Sequence, residues 1–191
     1  MKLKTEAQES TEKLDIKRRK CTLSENIQKL LLRQLKHELY NHNLYMSFSN
    51  FYGVQGLAVL EQYYKERADE EYHHHSWIRT YMNENDAAYI YPDIPAISET
   101  FEDNVTPFKL TVDKEIQTTQ LIYEIVDAAL EEGDWATFNW LNGDNDETGR
   151  LVQEQVEEES ISRTALDIAM EEGSWLRKEK SIMNVYKGDV D

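Results

Sequence analysis

Apolar residues recur at helical spacing through most of this chain. The first stripe runs Ile27, Leu31, Leu35, Tyr45, Phe48 and Tyr52, which predicts a helix from about Leu23 to Tyr52. Thr22-Leu23-Ser24-Glu25 precedes it with capping-box spacing, and Gly53 and Gly56 end it. A second stripe, Leu57, Leu60, Tyr64, Ala68, Ile78 and Met82, predicts a helix over about 57–83. The period is then lost across 84–106, where Pro92 and Pro95 interrupt any helix. So long an irregular stretch inside a compact domain reads as a crossover between distant helix ends. Thr106-Pro107 opens a third helix that carries Phe108, Val112, Ile122, Ile125 and Ala129 inward and stops at Gly133. A fourth covers about 150–172, and Gly173 ends it. Ser174 can cap a short fifth helix reaching about Tyr186. No strand pattern, heptad run or repeat stands out. The expected fold is an all-α four-helix bundle over 22–173, with a long crossover between its second and third helices. A polar tail precedes it over 1–21, and a short helix and tail follow over 174–191.

The stripes contain acids where the core should be. Glu38 falls among Leu31, Leu35, Tyr45 and Phe48. Glu71 lies between Ala68 and Ile78, and Glu115 between Val112 and Ile122. On the fourth helix Gln155 and Glu158 share a face with Leu151, Ser162 and Ala165. A lone buried carboxylate costs several kcal/mol or takes up a proton. Four helices that each turn an acid inward are reconciled by a shared cation. Glu71 and His74 are three apart and so project from one helix face, the Glu-x-x-His element of carboxylate-bridged di-iron bundles. Mixed oxygen and imidazole ligands suit Fe(II). All five histidines fall in the first two helices. His73 and His75 are expected at the surface or a cavity wall, and His37 and His42 as exposed or hydrogen-bonded residues.

Charge narrows the function further. The formal net charge is −16, which opposes nucleic-acid binding and fits the handling of cations. No apolar run approaches a membrane span, and the first twenty residues show no signal-peptide pattern. The sole cysteine, Cys21, has no internal partner, so a reducing, cytoplasmic location is expected.

Four segments together resemble the ferritin family in its bacterial non-haem branch. They are Glu38-Leu39-Tyr40 with Tyr45 seven residues on from Glu38, Glu70-Glu71 with His74, Glu115, and Glu154-Gln155 with Glu157-Glu158. The resemblance spans nearly everything from Leu23 to Gly173. It implies a first iron site of Glu38, Glu71 and His74. Glu71 would bridge to a second iron held by Glu115 and Glu158, with Gln155 close by. Glu70, Glu154 and Glu157 match the extra iron site of bacterial ferritins, and Tyr45 matches the tyrosine beside the di-iron centre. The implied protein is a homo-oligomeric cage of twenty-four subunits that oxidises Fe(II) with O₂ or peroxide and stores ferric mineral. Glu66, Glu70 and His73, on one face, would nucleate that mineral. The alternative is a cage subunit that handles iron on the cavity surface without a working centre inside the bundle. A DNA-protecting miniferritin fits the charge poorly.

The pattern departs from the family in places. No histidine follows in the fourth-helix motif, unlike bacterioferritins and rubrerythrins, and no haem ligand is evident. About seven residues are inserted within 142–150, where Asp144, Asp146 and Glu147 would make an acidic mouth at the three-fold pore. The fifth helix aligns poorly, which bears on the four-fold channel.

Overall fold

The structure, a computed structural model, describes residues 21–143 and 151–188. The expected tail up to residue 20 and the acids Asp144, Asp146 and Glu147 lie outside the described residues. Six helices are present among those described. They are α1 (Glu25–Val54), α2 (Ala58–Glu84), α3 (Thr106–Glu132), α4 (Trp135–Leu141), α5 (Leu151–Met170) and α6 (Trp175–Lys187).

Local chemistry places most of the ends. Ser24, two residues later than the capping-box pattern suggests, caps α1 by accepting a hydrogen bond from Ile27 N at 3.1 Å. Thr106 is not the cap of α3. Val105 stands at the cap without a side-chain bond of its own, and Asp103 Oδ1, two residues earlier, accepts from the amides of Val105 and Thr106 at 2.8 Å each. At the far end of α3, Gly133 adopts φ +68°, and Asp134 N then donates back to Ala129 O at 2.8 Å.

The helix before residue 142 is a departure from the sequence reading. Asp134 Oδ1 accepts from Thr137 N at 3.0 Å and starts α4, a seven-residue helix. In sequence α4 precedes α5, with 142–150 between them.

The long crossover sets the helix directions. It leaves α2 beside the start of α1, where Thr22 N donates to Asn85 O at 3.2 Å. It arrives at α3 beside the end of α1, where Tyr52 Oη donates to Asn104 O at 2.7 Å. Helices α2 and α3 consequently run parallel, and both run against α1.

Every residue of the four sequence stripes is buried. The core is not continuous. One apolar cluster, including Ile27, Leu31, Leu35, Ile78, Met82, Ile122, Ile125 and Leu151, fills one end. An aromatic cluster, including Tyr45, Phe48, Tyr52, Tyr63, Tyr64 and Phe108, fills the other. Between them lies a polar waist of buried Gln34, Glu38, Arg67, Glu71, His74, Glu115, Gln155, Glu158 and Ser162. Among the described residues, no helix is long and apolar enough to cross a membrane.

Helix α6 folds back on the bundle. Its buried Glu179 accepts from Val59 N at 3.2 Å, where α2 lacks a side-chain cap of its own. Its buried Lys178 donates to Ala169 O at 2.9 Å, at the end of α5. An acid thus meets a helix N-terminus and a cation a helix C-terminus.

Candidate metal centre

The waist is built by four helices. Glu38 comes from α1, Glu71 and His74 from α2, Glu115 from α3, and Gln155 and Glu158 from α5. Each sits one or two turns from apolar residues of its own stripe, so packing of the two apolar ends aims it inward. Two ligand triads close to within 4.8 Å: Glu38 with Glu71 and His74, and Glu71 with Glu115 and Glu158. Glu71 belongs to both.

Among the described residues, neighbours hold one side of each group and leave the other bare. Gln34 Nε2 donates to Glu38 Oε1 at 2.7 Å, while Glu38 Oε2 is buried with no hydrogen-bond partner. His74 Nε2 donates to Glu154 Oε2 at 2.9 Å, and its Nδ1 has no partner. A carboxylate behind an imidazole fixes the ring and presents its other nitrogen to a metal. Glu71 Oε2 and Glu158 Oε2 are likewise buried and unpartnered. Glu115 is held from three directions. Tyr45 Oη donates to its Oε1 at 2.6 Å, Gln155 Nε2 to its Oε2 at 2.9 Å, and the Arg67 guanidinium pairs with Oε1.

Burial and mutual repulsion act strongly on protons here. Burial first, then the charges of Glu38 and Glu115, push the Glu71 carboxyl well above the usual range. Burial also raises Glu158 to about 8, against the pull of His74 and Arg67. Burial alone would lower His74, but Glu158, Glu154 and Glu38 outweigh it and raise the imidazole to about 10. The waist is short of positive charge, and tight protons make up part of the deficit. A divalent cation would displace them. The bare atoms, the carboxylate–imidazole donor set and this charge deficit all fit an iron ion.

The remaining sequence candidates scatter around this centre. Glu70, His73, Glu154 and Glu157 line one side cavity of about 360 Å³, together with Arg67, His74 and Tyr186. They do not form a third closed triad among the described residues. Glu70 Oε1 accepts from Tyr186 Oη at 2.8 Å, Glu154 holds His74, and Glu157 accepts from Gln153 at 2.8 Å. Glu66 pairs with Lys187 of α6, so that helix covers part of the predicted mineral face. His73 is exposed, as expected.

His75 corrects its expectation. It is buried, with Nδ1 donating to Leu35 O at 3.3 Å and Nε2 bonded to Tyr91 of the crossover. His37 and His42 are hydrogen-bonded, the former to Thr118 Oγ1 at 2.8 Å and the latter to Ala68 O at 2.7 Å.

Sequence reasoning missed Arg67, Gln34 and Tyr186. Arg67 is only 1% exposed. Its phase was legible, three residues after Tyr64 and four before Glu71, but long cations at such positions usually reach solvent.

Comparison with known proteins places the fold. A sequence model described as the ferritin-like domain matches residues 28–168. A Haemophilus influenzae protein named "Probable bacterial non-heme ferritin-like protein" is 32% identical over 145 residues, covering 76% of this chain and 84% of that one. The bacterial non-heme ferritin of Campylobacter jejuni is 30% identical, covering 76% and 83%. Among solved structures, Chlorobium tepidum ferritin superposes with a TM-score of 0.71 at 26% identity, covering 78% of this chain and 86% of that one. A humanized archaeal ferritin reaches 0.76 at 25% identity, covering 84% and 96%. With its bundle, its crossover and its buried acids already in place, this chain belongs to the ferritin-like domain family.

Proposed function

We propose that this protein is an iron-storage subunit that binds paired Fe(II) at the waist, oxidises it and delivers ferric product to the interior of a shell. The observation that carries the reading is the set of buried, unpartnered ligand atoms on Glu38, Glu71, His74 and Glu158. Buried polar atoms are rarely left without partners in a folded protein. Four of them facing one space from three helices indicate a cation that completes them. The names of the bacterial non-heme ferritins that resemble this chain point the same way.

In this reading Glu38, Glu71 and His74 hold the first Fe(II). Glu71 bridges to the second, which Glu115 and Glu158 hold. Each Fe(II) gives up one electron. An O₂ molecule accepts both electrons and two protons and leaves as hydrogen peroxide. Carboxylates favour the Fe(III) so formed, because hard anionic oxygen stabilises the higher charge. Tyr45, bonded to Glu115, is the candidate donor of a further electron. In this reading the exit toward the shell interior is the side cavity lined by Glu70, His73, Glu154 and Glu157, a route supported by its opening beside His74 and Glu158.

Stopped-flow oxidation of Fe(II) tests this. Glu38→Ala and His74→Ala should each slow the initial rate about tenfold or more. Initial rates equal to wild type would move the chemistry to the cavity surface, the reading in which the subunit nucleates iron without a centre inside the bundle. An anomalous-scattering map of Fe(II)-soaked crystals should show two peaks at the waist.

A further inference from the structure

The waist contains a cation of its own. Arg67 projects from α2 into the acid cluster, and among the described residues its ion pairs are to Glu115, Glu158 and Glu70, carboxylates around the proposed centre. One amino group pairs with Glu115 Oε1 and also donates to Ser162 Oγ at 3.4 Å. The other lies 3.6 Å from Glu158 Oε1 and 3.5 Å from Glu70 Oε2. Two of the three members of the second triad, Glu115 and Glu158, are therefore engaged by Arg67. The first triad, Glu38, Glu71 and His74, is not.

The two metal positions are consequently unequal. A cation entering between Glu38, Glu71 and His74 meets bare ligand atoms. A cation entering between Glu71, Glu115 and Glu158 must share both outer carboxylates with a fixed positive charge at close range, in a medium where like charges are poorly screened. The guanidinium has room to move on the side of the cavity it shares with Glu70. Glu70 Oε2 has no hydrogen-bond partner, and Arg67 Nη1 and Nε have none either. The cavity of about 360 Å³ opens at Arg67 and Glu70. A rotation of the guanidinium toward Glu70 would release Glu115 and Glu158, tighten the existing 3.5 Å pair with Glu70 and empty the second position.

Resting on the reading of the waist as a two-metal centre, we propose that Arg67 is a positioning residue that occupies the second metal position as a resident cation. It is displaced toward Glu70 only when a second metal binds, so the two metals load in order and with unequal affinity. Arg67 also supplies positive charge to Glu115 and Glu158 before loading, which keeps the second site assembled.

The test uses redox-inert Zn²⁺ on the full-length assembled protein stripped of metal, with calorimetric titration and anomalous scattering to assign each site. In the wild type the Glu38–Glu71–His74 position should fill first, and the second position about tenfold or more weaker. Arg67→Gln should tighten the second position by about tenfold or more and leave the first within about threefold. Arg67→Lys, which keeps the charge, should leave the order intact. Equal filling in the wild type, or an unchanged second affinity in Arg67→Gln, overturns the proposal. Should Arg67→Gln not assemble, wild-type crystals with both positions filled decide. The guanidinium is expected on Glu70, and one still on Glu115 overturns the proposal. A Glu38→Ala control separates the two readings. If it leaves Zn²⁺ binding at the waist untouched, the two-metal centre itself fails, whatever Arg67 does.

Discussion

The waist holds its protons tightly, and that has a measurable sign. Glu158 is raised from 4.5 to about 8 and His74 from 6.5 to about 10, both within the folded chain. Glu71 moves in the same direction. Each group therefore binds its proton more tightly folded than unfolded. The stability His74 contributes is complete below 6.5 and is lost as pH rises through about 10. The penalty on Glu158 is absent below 4.5 and grows until about 8. Both effects make the metal-free protein less stable as pH rises. Its melting midpoint in chelator should fall between about pH 6 and pH 9, and Zn²⁺ should flatten that slope, because metal binding releases the same protons. Scanning calorimetry with and without Zn²⁺ measures it. A midpoint that rises over this range would contradict the assignment of tight protons to the waist. Tyr45→Phe probes the same place from the aromatic side. It removes the phenol donor to Glu115 but leaves the ring packing, so it should cost about 1.5–3 kcal/mol of stability in a urea titration.

At the scale of elements, the sequence showed most of the bundle, because each helix has a long stripe and the acids share its phase. Glu38, Glu71, Glu115 and Glu158 could be placed inward for the same reason as Leu35 or Ile122. Helix α4 was not legible. Seven residues give barely two turns of periodicity, and the signal that starts it, Asp134 bonding Thr137, looks like many turns. His75 misled because its burial depends on Tyr91, sixteen residues away in the crossover, which carries no periodic signal. The docking of α6 was hidden for a related reason. Lys178 and Glu179 lie in a charged run, Arg177 to Lys180, with no apolar period to mark them, yet they meet the ends of two other helices. Glu179→Ala should cost about 1 kcal/mol, the worth of a helix cap, in the same urea assay. A Glu179→Gln variant, which keeps an acceptor oxygen, should recover most of that loss. An alanine variant as stable as wild type would mean that α6 is held by Ile182 and its aromatic neighbours alone.

The whole molecule adds what no single chain can express. Several large apolar side chains stand exposed on the subunit, including Met46 at 40%, Val54 at 81% and Trp135 at 64%. Met46 and Val54 line one groove with Phe51 and Phe101. Apolar grooves of this kind on a strongly acidic chain gain by being covered. In the proposed shell the −16 charge opposes association, and apolar burial would have to outweigh that repulsion. Salt tilts that balance. At about 0.01 M ionic strength charges interact over about 30 Å, and at 0.15 M over about 8 Å. The protein should therefore assemble more completely as salt rises, into the twenty-four-subunit shell its family resemblance implies. Val54→Glu, which adds an acid to the groove, should shift the assembly threshold to higher salt. Light scattering across a salt series distinguishes this shell from a twelve-subunit one and from free subunits. Iron uptake should respond the other way. An acidic shell attracts Fe(II) through its long-range field, and screening shortens that reach, so initial uptake should slow by about tenfold between low and high salt even as assembly improves. Opposite salt dependences of size and rate would show the same surface charge governing both steps, and a rate that rises in step with assembly would assign the limit to subunit association instead.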